Sequence, residues 1–305
     1  MYAIGLDIGG TKITGAIVGV NGAVHRLERL PTPATDLVAF KAALLGLITM
    51  LTRDFDSPVT CIGIGAPGIV DFAGNFKFGG GTLTFLKDVN LIEVVRRQFS
   101  LPVAVANDHN CFALAEAIFG AGHGYPVMVG VIWGTGIGGG LIINSKIFSG
   151  AHGGAGEFGH MVMAPDFKEA CGCGQRGCLE QLASGAAISR RYLEMGGKIM
   201  NAGPREIYYS DEPAAKAALE TAVHFLGRGL AILIQTFDPG VIVLGGGVSQ
   251  LPDPIYDKLR QVTREFVMPA FKDKVNIVRH EVGNDAGVIG AAALAFEALN
   301  RGVDE

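Results

Sequence analysis

Gly5-Leu6-Asp7-Ile8-Gly9-Gly10-Thr11-Lys12-Ile13-Thr14-Gly15-Ala16-Ile17-Val18 and Gly130-Val131-Ile132-Trp133-Gly134-Thr135-Gly136-Ile137-Gly138-Gly139-Gly140-Leu141-Ile142-Ile143 share one design. Each reads as an apolar strand, a Gly/Thr turn and a second apolar strand. A weak internal duplication of this kind suggests two similar domains facing one cleft, with a boundary near residue 115; a single long sheet is the alternative. Outward from the first copy, Asn21-Gly22 is a hairpin signal before Ala23–Leu30, and Leu37–Thr52 has a helical pattern. Thr60–Gly65 reads as a buried strand and Leu91–Phe99 as a short amphipathic helix. Pro102–Ala106 is a strand running into Asn107-Asp108 and the helix His109–Phe119. After the second copy come an irregular stretch, Ser149–Gly177, and long helices at Ser184–Met195 and Glu212–Phe237. A strand, Val241–Leu244, then ends in Gly245-Gly246-Gly247, and an Ala-rich helix spans Ala286–Leu299. Strands alternating with helices throughout predict an α/β fold.

Composition narrows the function classes. The chain has 305 residues, enough for one large or two ordinary domains. Its net charge is −4 and no Lys/Arg cluster forms a basic stripe, which argues against nucleic acid as a partner. Asp7 interrupts the first apolar stretch and no basic segment precedes it, so no targeting peptide is expected. The longest uncharged run, Tyr125 to Ser145, has the length of a membrane span, but glycines break its middle into two strand-length halves. No membrane association and a cytoplasmic location are therefore expected.

Four constellations carry chemistry. Asp7-Ile8-Gly9-Gly10-Thr11-Lys12 offers backbone N–H groups for phosphate and a carboxylate for Mg²⁺; it lacks P-loop spacing, and a tight hairpin with an Asp turn residue is the alternative. Gly134-Thr135-Gly136 and Gly245-Gly246-Gly247 are further turns able to lie against phosphates or an adenosine. Asp108 stands between a strand and a helix, where it can serve as a base for a hydroxyl undergoing phosphoryl transfer or simply cap the helix. His160, Cys171, Cys173 and Cys178 have the spacing of a closed, structural Cys₃His zinc site, with buried free thiols as the alternative. Such a site would fix a loose loop and orient Glu157 and Glu180. Cys61, Cys111 and Trp133 read as core residues.

Taken in order, Asp7–Lys12, Gly63-Ile64-Gly65-Ala66-Pro67-Gly68, Asn107-Asp108, Gly134–Gly140, Glu157–His160, Cys171–Glu180 and Val241–Gly247 resemble the ROK family of sugar kinases and sugar-responsive repressors from end to end. The resemblance implies an actin-like, ribonuclease H-like fold of two α/β domains. These are residues 1–115, with the terminal helix 286–305 packing back on them, and residues 116–285. It implies Asp108 as base, and Gly68, Asn107, Glu157, His160 and Glu180 as sugar ligands. It gives Asp7, Gly9, Gly10, Thr11, Lys12, Gly134, Thr135, Gly136, Gly245, Gly246 and Gly247 to ATP and Mg²⁺. His160, Cys171, Cys173 and Cys178 are its Zn²⁺ ligands, and a homodimer or homotetramer its expected assembly.

Two positions depart from the family pattern: His109, where Ala is usual, and Gly79-Gly80-Gly81-Thr82, a loop that often carries a sugar-binding Asn. Within the family, the phosphate motif at Asp7 leaves no room before it for a DNA-binding segment, which argues against a repressor. A non-catalytic sugar sensor would not need Asp7, Asp108 and both phosphate turns together. The stretch Cys171–Gly185 looks like the glucokinases, while Asn110–Leu114 looks like the N-acetylglucosamine kinases and fructokinases. The expectation is an ATP-dependent hexokinase acting on glucose, with an N-acetylhexosamine or fructose as the alternative acceptor.

Overall fold

The computed structural model describes residues 1–71, 73–79 and 83–301. In chain order these form β1 (Tyr2–Ile8), β2 (Lys12–Gly19), β3 (Val24–Pro31), α1 (Leu37–Thr52), β4 (Val59–Ala66), β5 (Gly68–Val70), β6 (Phe76–Gly79), α2 (Leu91–Arg96), β7 (Val103–Asn107) and α3 (Asp108–Phe119). They continue as β8 (Val127–Trp133), β9 (Ile137–Ile143), β10 (Lys146–Ile147), α4 (Leu179–Ala183), α5 (Gly185–Glu194), α6 (Pro204–Tyr208) and α7 (Pro213–Phe237). The last are β11 (Val241–Gly245), α8 (Asp253–Phe266), β12 (Ile277–Arg279) and α9 (Ala286–Arg301). The chain divides into two compact units. The first holds Met1–His123, Ser145–Ala155 and the segment from Glu281; the second holds Gly124–Asn144 and Gly156–His280.

In the first unit five strands run in the order β3-β2-β1-β4-β7. The hairpins β1–β2 and β2–β3 are antiparallel, whereas β4 and β7 join β1 in parallel. At the second hairpin the Asn21 side chain accepts from Ala23 N at 3.2 Å, and Gly22 takes the left-handed conformation such a turn needs (φ 81°). Helix α1 begins at Asp36, whose carboxylate accepts from the N–H groups of Val38 and Ala39. It buries Phe40, Leu44, Leu47, Ile48 and Leu51, one stripe at helical spacing.

Helix α9 lies on the sheet with almost no space between backbones. A Cβ on Gly5 would sit 1.9 Å from Val288 O, one on Gly63 1.7 Å from Ala291 O, and one on Gly290 1.7 Å from Cys111 O of α3. Only glycine permits this approach.

The strands of the second unit run β9-β8-β11-β12, with β8–β9 antiparallel and β11 parallel to both β8 and β12. Helix α7 is the only one among the described residues long and apolar enough to cross a membrane. It is a core helix: Ala218, Ala222, Leu226 and Leu230 are fully buried within the unit. Trp133, Cys61 and Cys111 are buried, as the sequence indicates.

The elements expected from sequence leave out β5, β6, β10, α4, α6, α8 and β12. Strands of two to four residues are too short to show alternation. Helix α8 is the exception: its buried Ile255, Tyr256, Leu259 and Val262 recur at helical spacing between charged residues, a pattern the sequence does carry.

The close seating of α9 makes a contrast testable by urea unfolding. Gly63→Ala is expected to lose about 3 kcal/mol or more, because the clash is with backbone. Gly46→Ala, in exposed mid-helix with open space around it, is expected to gain about 0.5–1 kcal/mol.

Candidate functional site

In the first unit the parallel strands β1, β4 and β7 deliver their C-terminal ends to one edge, where α/β sheets place ligands. Asp7 is in register with Gly65 of β4, and Ala66 of β4 with Asn107 of β7. A Cβ on Gly65 would lie 3.5 Å from Asp108 Cα and 3.1 Å from Cys111 Sγ, so the strand's bareness admits the start of α3. The capping role falls to Asn107, whose Oδ1 accepts from His109 N at 2.8 Å while Nδ2 donates to Gly68 O at 3.0 Å. Asp108 is thus the first helical residue, its carboxylate partly exposed. Its Oδ1 accepts from His109 N at 3.0 Å and lies 3.8 Å from His109 Nδ1.

Burial pushes the Asp7 carboxyl up to about 6; the Asp108 carboxylate adds to this, and Lys12 and His109 oppose it. Burial, reinforced by the same two carboxylates, also holds the Cys111 thiol well above its usual range. A pair of mutually repelling carboxylates beside a lysine suits a hard divalent cation, so this donor set fits Mg²⁺. The Gly9–Lys12 turn is closed by Gly9 N donating to Lys12 O at 2.9 Å, and Thr32 Oγ1 braces it through Gly9 O at 2.7 Å.

In the second unit the two Gly turns meet. A Cβ on Gly246 would lie 2.7 Å from Trp133 O and 3.0 Å from Gly134 N. Among the described residues the N–H groups of Thr135 and Gly136 have no acceptor, whereas Gly134 N bonds Gly136 O. Glu180 Oε2 accepts from Ile137 N at 2.9 Å, and Gly159 sits so close to Ile137 that a Cβ would be 1.9 Å from its carbonyl oxygen. Strand β9 therefore gathers the Gly134–Gly136 turn, Glu180 and the Glu157–His160 segment. His160 Nε2 lies 3.7 Å from Glu157 Oε2.

The ligand atoms of His160, Cys171, Cys173 and Cys178 all lie within 4.8 Å of one another. Cys171 Sγ is 3.6 Å from His160 Nδ1, and Cys173 Sγ is 3.6 Å from Cys178 Sγ. A tetrahedral zinc with 2.3 Å Zn–S bonds needs sulfurs about 3.8 Å apart, so the group fits Zn²⁺ with Nδ1 as the His donor. The loop is held by Leu179 N on Met161 O at 2.9 Å, Met163 N on Gly177 O at 2.8 Å, and Gly177 N on Gln181 Oε1 at 2.9 Å.

Sequence reasoning missed three contributors. Gly287, in the first turn of α9, has its Cα beside the Asp7 carboxylate: a Cβ there would be 2.7 Å from Asp7 Cγ. Glu116, fully buried in α3, accepts from the N–H groups of Ala121, Glu281 and Val282. Gln181 ties the Cys loop as described. Glycines recurring through α9 were the readable sign of the first. Of the departing loop, residues 80–82 lie outside the described residues.

The two Gly-turn units, with carboxylates on one and a Cys₃His cluster on the other, define an actin-like, ribonuclease H-like α/β protein of the phosphotransferase kind. The chain belongs to the ROK family, whose sequence pattern matches residues 3–298. It is 35% identical to an N-acetylgalactosamine kinase of Shewanella sp. (strain ANA-3), covering 95% of each chain. It is 32% identical to a glucokinase of Streptomyces coelicolor, covering 96% of this chain and 97% of the other. The ROK glucokinase of Streptomyces griseus in complex with glucose and AMPPNP superposes with a TM-score of 0.83 at 32% identity, covering 97% of this chain and all of that one.

The raised Asp7 ionisation has a stability consequence. The folded chain holds more protons than the unfolded chain between about pH 4 and 6, so stability falls as pH rises through that window. Asp7→Asn removes the cost. Calorimetry in EDTA should find the variant more stable than wild type at pH 8, by at most about 3 kcal/mol, with the gap closing by pH 4.

Proposed function

We propose that this chain transfers the γ-phosphoryl group of ATP to the 6-hydroxyl of a hexose, with Asp108 as the base. The chain is an ATP-dependent sugar kinase, as its family and its relatives on both sides of the substrate question attest. The observation that carries the assignment of the base is that Asn107 caps α3, leaving the Asp108 carboxylate partly exposed at the sheet's C-terminal edge beside Asp7.

In the proposed reaction the sugar O6 attacks the γ-phosphorus, the bond to the β,γ-bridging oxygen breaks, and ADP leaves. The hydroxyl proton passes to Asp108 as the new P–O bond forms. Gly68, Asn107, Glu157, His160 and Glu180 hold the sugar. Asp7, Gly9, Gly10, Thr11, Lys12 and the turns Gly134–Gly136 and Gly245–Gly247 hold the nucleotide. Mg²⁺, when bound, offsets the phosphate charge, and Asp7 is the carboxylate placed to hold it. Zn²⁺ on His160, Cys171, Cys173 and Cys178 has a structural role, since a closed four-ligand site leaves no position for substrate.

Glucose is the acceptor favoured by the glucokinase-like stretch Cys171–Gly185. An N-acetylhexosamine is the second reading, supported by the relatives named as N-acetylgalactosamine and N-acetylglucosamine kinases. A cytoplasmic homodimer or homotetramer completes the proposal, and light scattering of the purified chain tests the assembly.

An ADP-release assay across glucose, mannose, fructose, N-acetylglucosamine, N-acetylmannosamine and N-acetylgalactosamine decides the acceptor; silence on all six would sink the kinase reading. Asp108→Asn is expected to keep sugar affinity while kcat drops on the order of 10²–10⁴-fold. Near-normal kcat would remove Asp108 from the base role. Cys173→Ser should lose zinc by elemental analysis and weaken sugar binding with it.

A further inference from the structure

We propose that Glu180 is a positioning residue for the phosphate turn as well as a sugar ligand, so that one carboxylate couples the two substrate sites. The proposal rests on the sugar-binding role given to Glu180 above and adds a second role for the same side chain.

The geometry divides the carboxylate between two tasks. Oε2 accepts from Ile137 N at 2.9 Å, immediately after the turn, while Oε1 accepts no hydrogen bond among the described residues. Gly136 makes this possible: a Cβ there would be 2.4 Å from Oε2 and 3.3 Å from Cδ. The carboxylate occupies the space a side chain at 136 would take, which gives that glycine a reason beyond phosphate approach.

The neighbouring backbone repeats the attachment. Gly185 N donates to Gly134 O at 2.8 Å, and Ala186 N to Thr135 O at 3.3 Å. The segment Glu180–Ala186 thus grips the turn at Gly134, Thr135 and Ile137. That segment starts next to Cys178, so the Cys₃His loop fixes the base from which Glu180 reaches.

A sugar hydroxyl donating to Oε1 would fix the carboxylate's rotation and with it the bond from Oε2 to Ile137 N. A turn already ordered binds phosphate with a smaller entropy loss. Sugar therefore tightens nucleotide, and nucleotide tightens sugar by the same factor.

The test is calorimetric titration of AMPPNP with Mg²⁺ into wild type, Glu180→Ala, Glu180→Gln and Gly136→Ala. Each is run with and without the sugar the ADP-release panel identifies, and zinc content and melting temperature are checked for every variant. Wild type should bind AMPPNP about 5-fold or more tighter with sugar present. Glu180→Ala should weaken AMPPNP by about 5-fold or more without sugar and lose the coupling. Glu180→Gln retains an oxygen for Ile137 N, so its sugar-free AMPPNP affinity should stay within about 2-fold while its sugar affinity falls. Gly136→Ala displaces the carboxylate from the other side; because residue 136 also lies on the nucleotide turn, its readout is the loss of sugar–AMPPNP coupling, which serves if Glu180→Ala fails to fold. Combined with Glu180→Ala it should add little, because both remove one contact. Unchanged sugar-free AMPPNP affinity in Glu180→Ala overturns the bracing role. Unchanged sugar affinity in both Glu180 variants overturns the coupling and with it the sugar-binding role of this residue, leaving the kinase assignment to the ADP-release assay.

Discussion

Backbone resting on backbone, where α9 meets β1, β4 and α3, is the constraint on which the first unit depends. Gly5, Gly63 and Gly290 remove the side chains that would hold these elements apart. Dispersion falls off steeply with separation, so contact at this range packs densely. The functional consequence is positional. With α9 so close, its first turn reaches the Asp7 carboxylate at Gly287, and α3 is pressed against the sheet with Asp108 at its start. A methyl group at Gly287 would displace the Asp7 carboxylate, and one at Gly5, Gly63 or Gly290 would force apart the backbones that seat it.

The second unit solves a similar problem with the same residue. Gly139 faces Gly130 O and the Phe158 ring, Gly156 faces Gly139 O, and Gly159 faces Ile137 O, each too close for a Cβ. The bare surface of β9 lets the Glu157–His160 segment lie directly on the strand that follows the Gly134–Gly136 turn. Large apolar side chains supply the core beneath, among them Trp133, whose Nε1 donates to Ala183 O at 2.7 Å and so pins the end of α4. Precision at the site thus comes from glycine above and from a satisfied aromatic below.

Legibility in the sequence follows from this physics. The paired strand–turn–strand stretches, helix α1 and the Cys₃His cluster were readable, because alternation, a buried stripe and ligand spacing are local signals. Asp108 was ambiguous between base and cap, since the sequence does not say which of two adjacent residues caps a helix. The bond that His109 N donates to Asn107 Oδ1 is a tertiary fact, fixed by where Gly68 O holds the other end of that amide. Glu116 was invisible for a related reason. A carboxylate satisfied by one N–H just past its own helix and by two from a segment 165 residues away leaves no pattern around itself.

The charges of the two units argue for a cation in the proposed reaction. The first unit brings Asp7 and Asp108 together, and their repulsion, added to burial, already holds the Asp7 proton up to about 6. The second unit offers uncommitted N–H groups at Thr135 and Gly136, which suit phosphate oxygens but carry no formal charge. A triphosphate brought to the sheet edge of the first unit meets two carboxylates and one nearby lysine, Lys12. At close range like charges in a partly buried setting cost several kcal/mol, more than backbone dipoles repay. A divalent ion held by Asp7 would offset that charge and favour the ionised carboxylate, leaving to Asp108 the base role proposed for it. In the proposed reaction it is thus the cation, and not the carboxylates alone, that would separate the tasks of two acids otherwise competing for one.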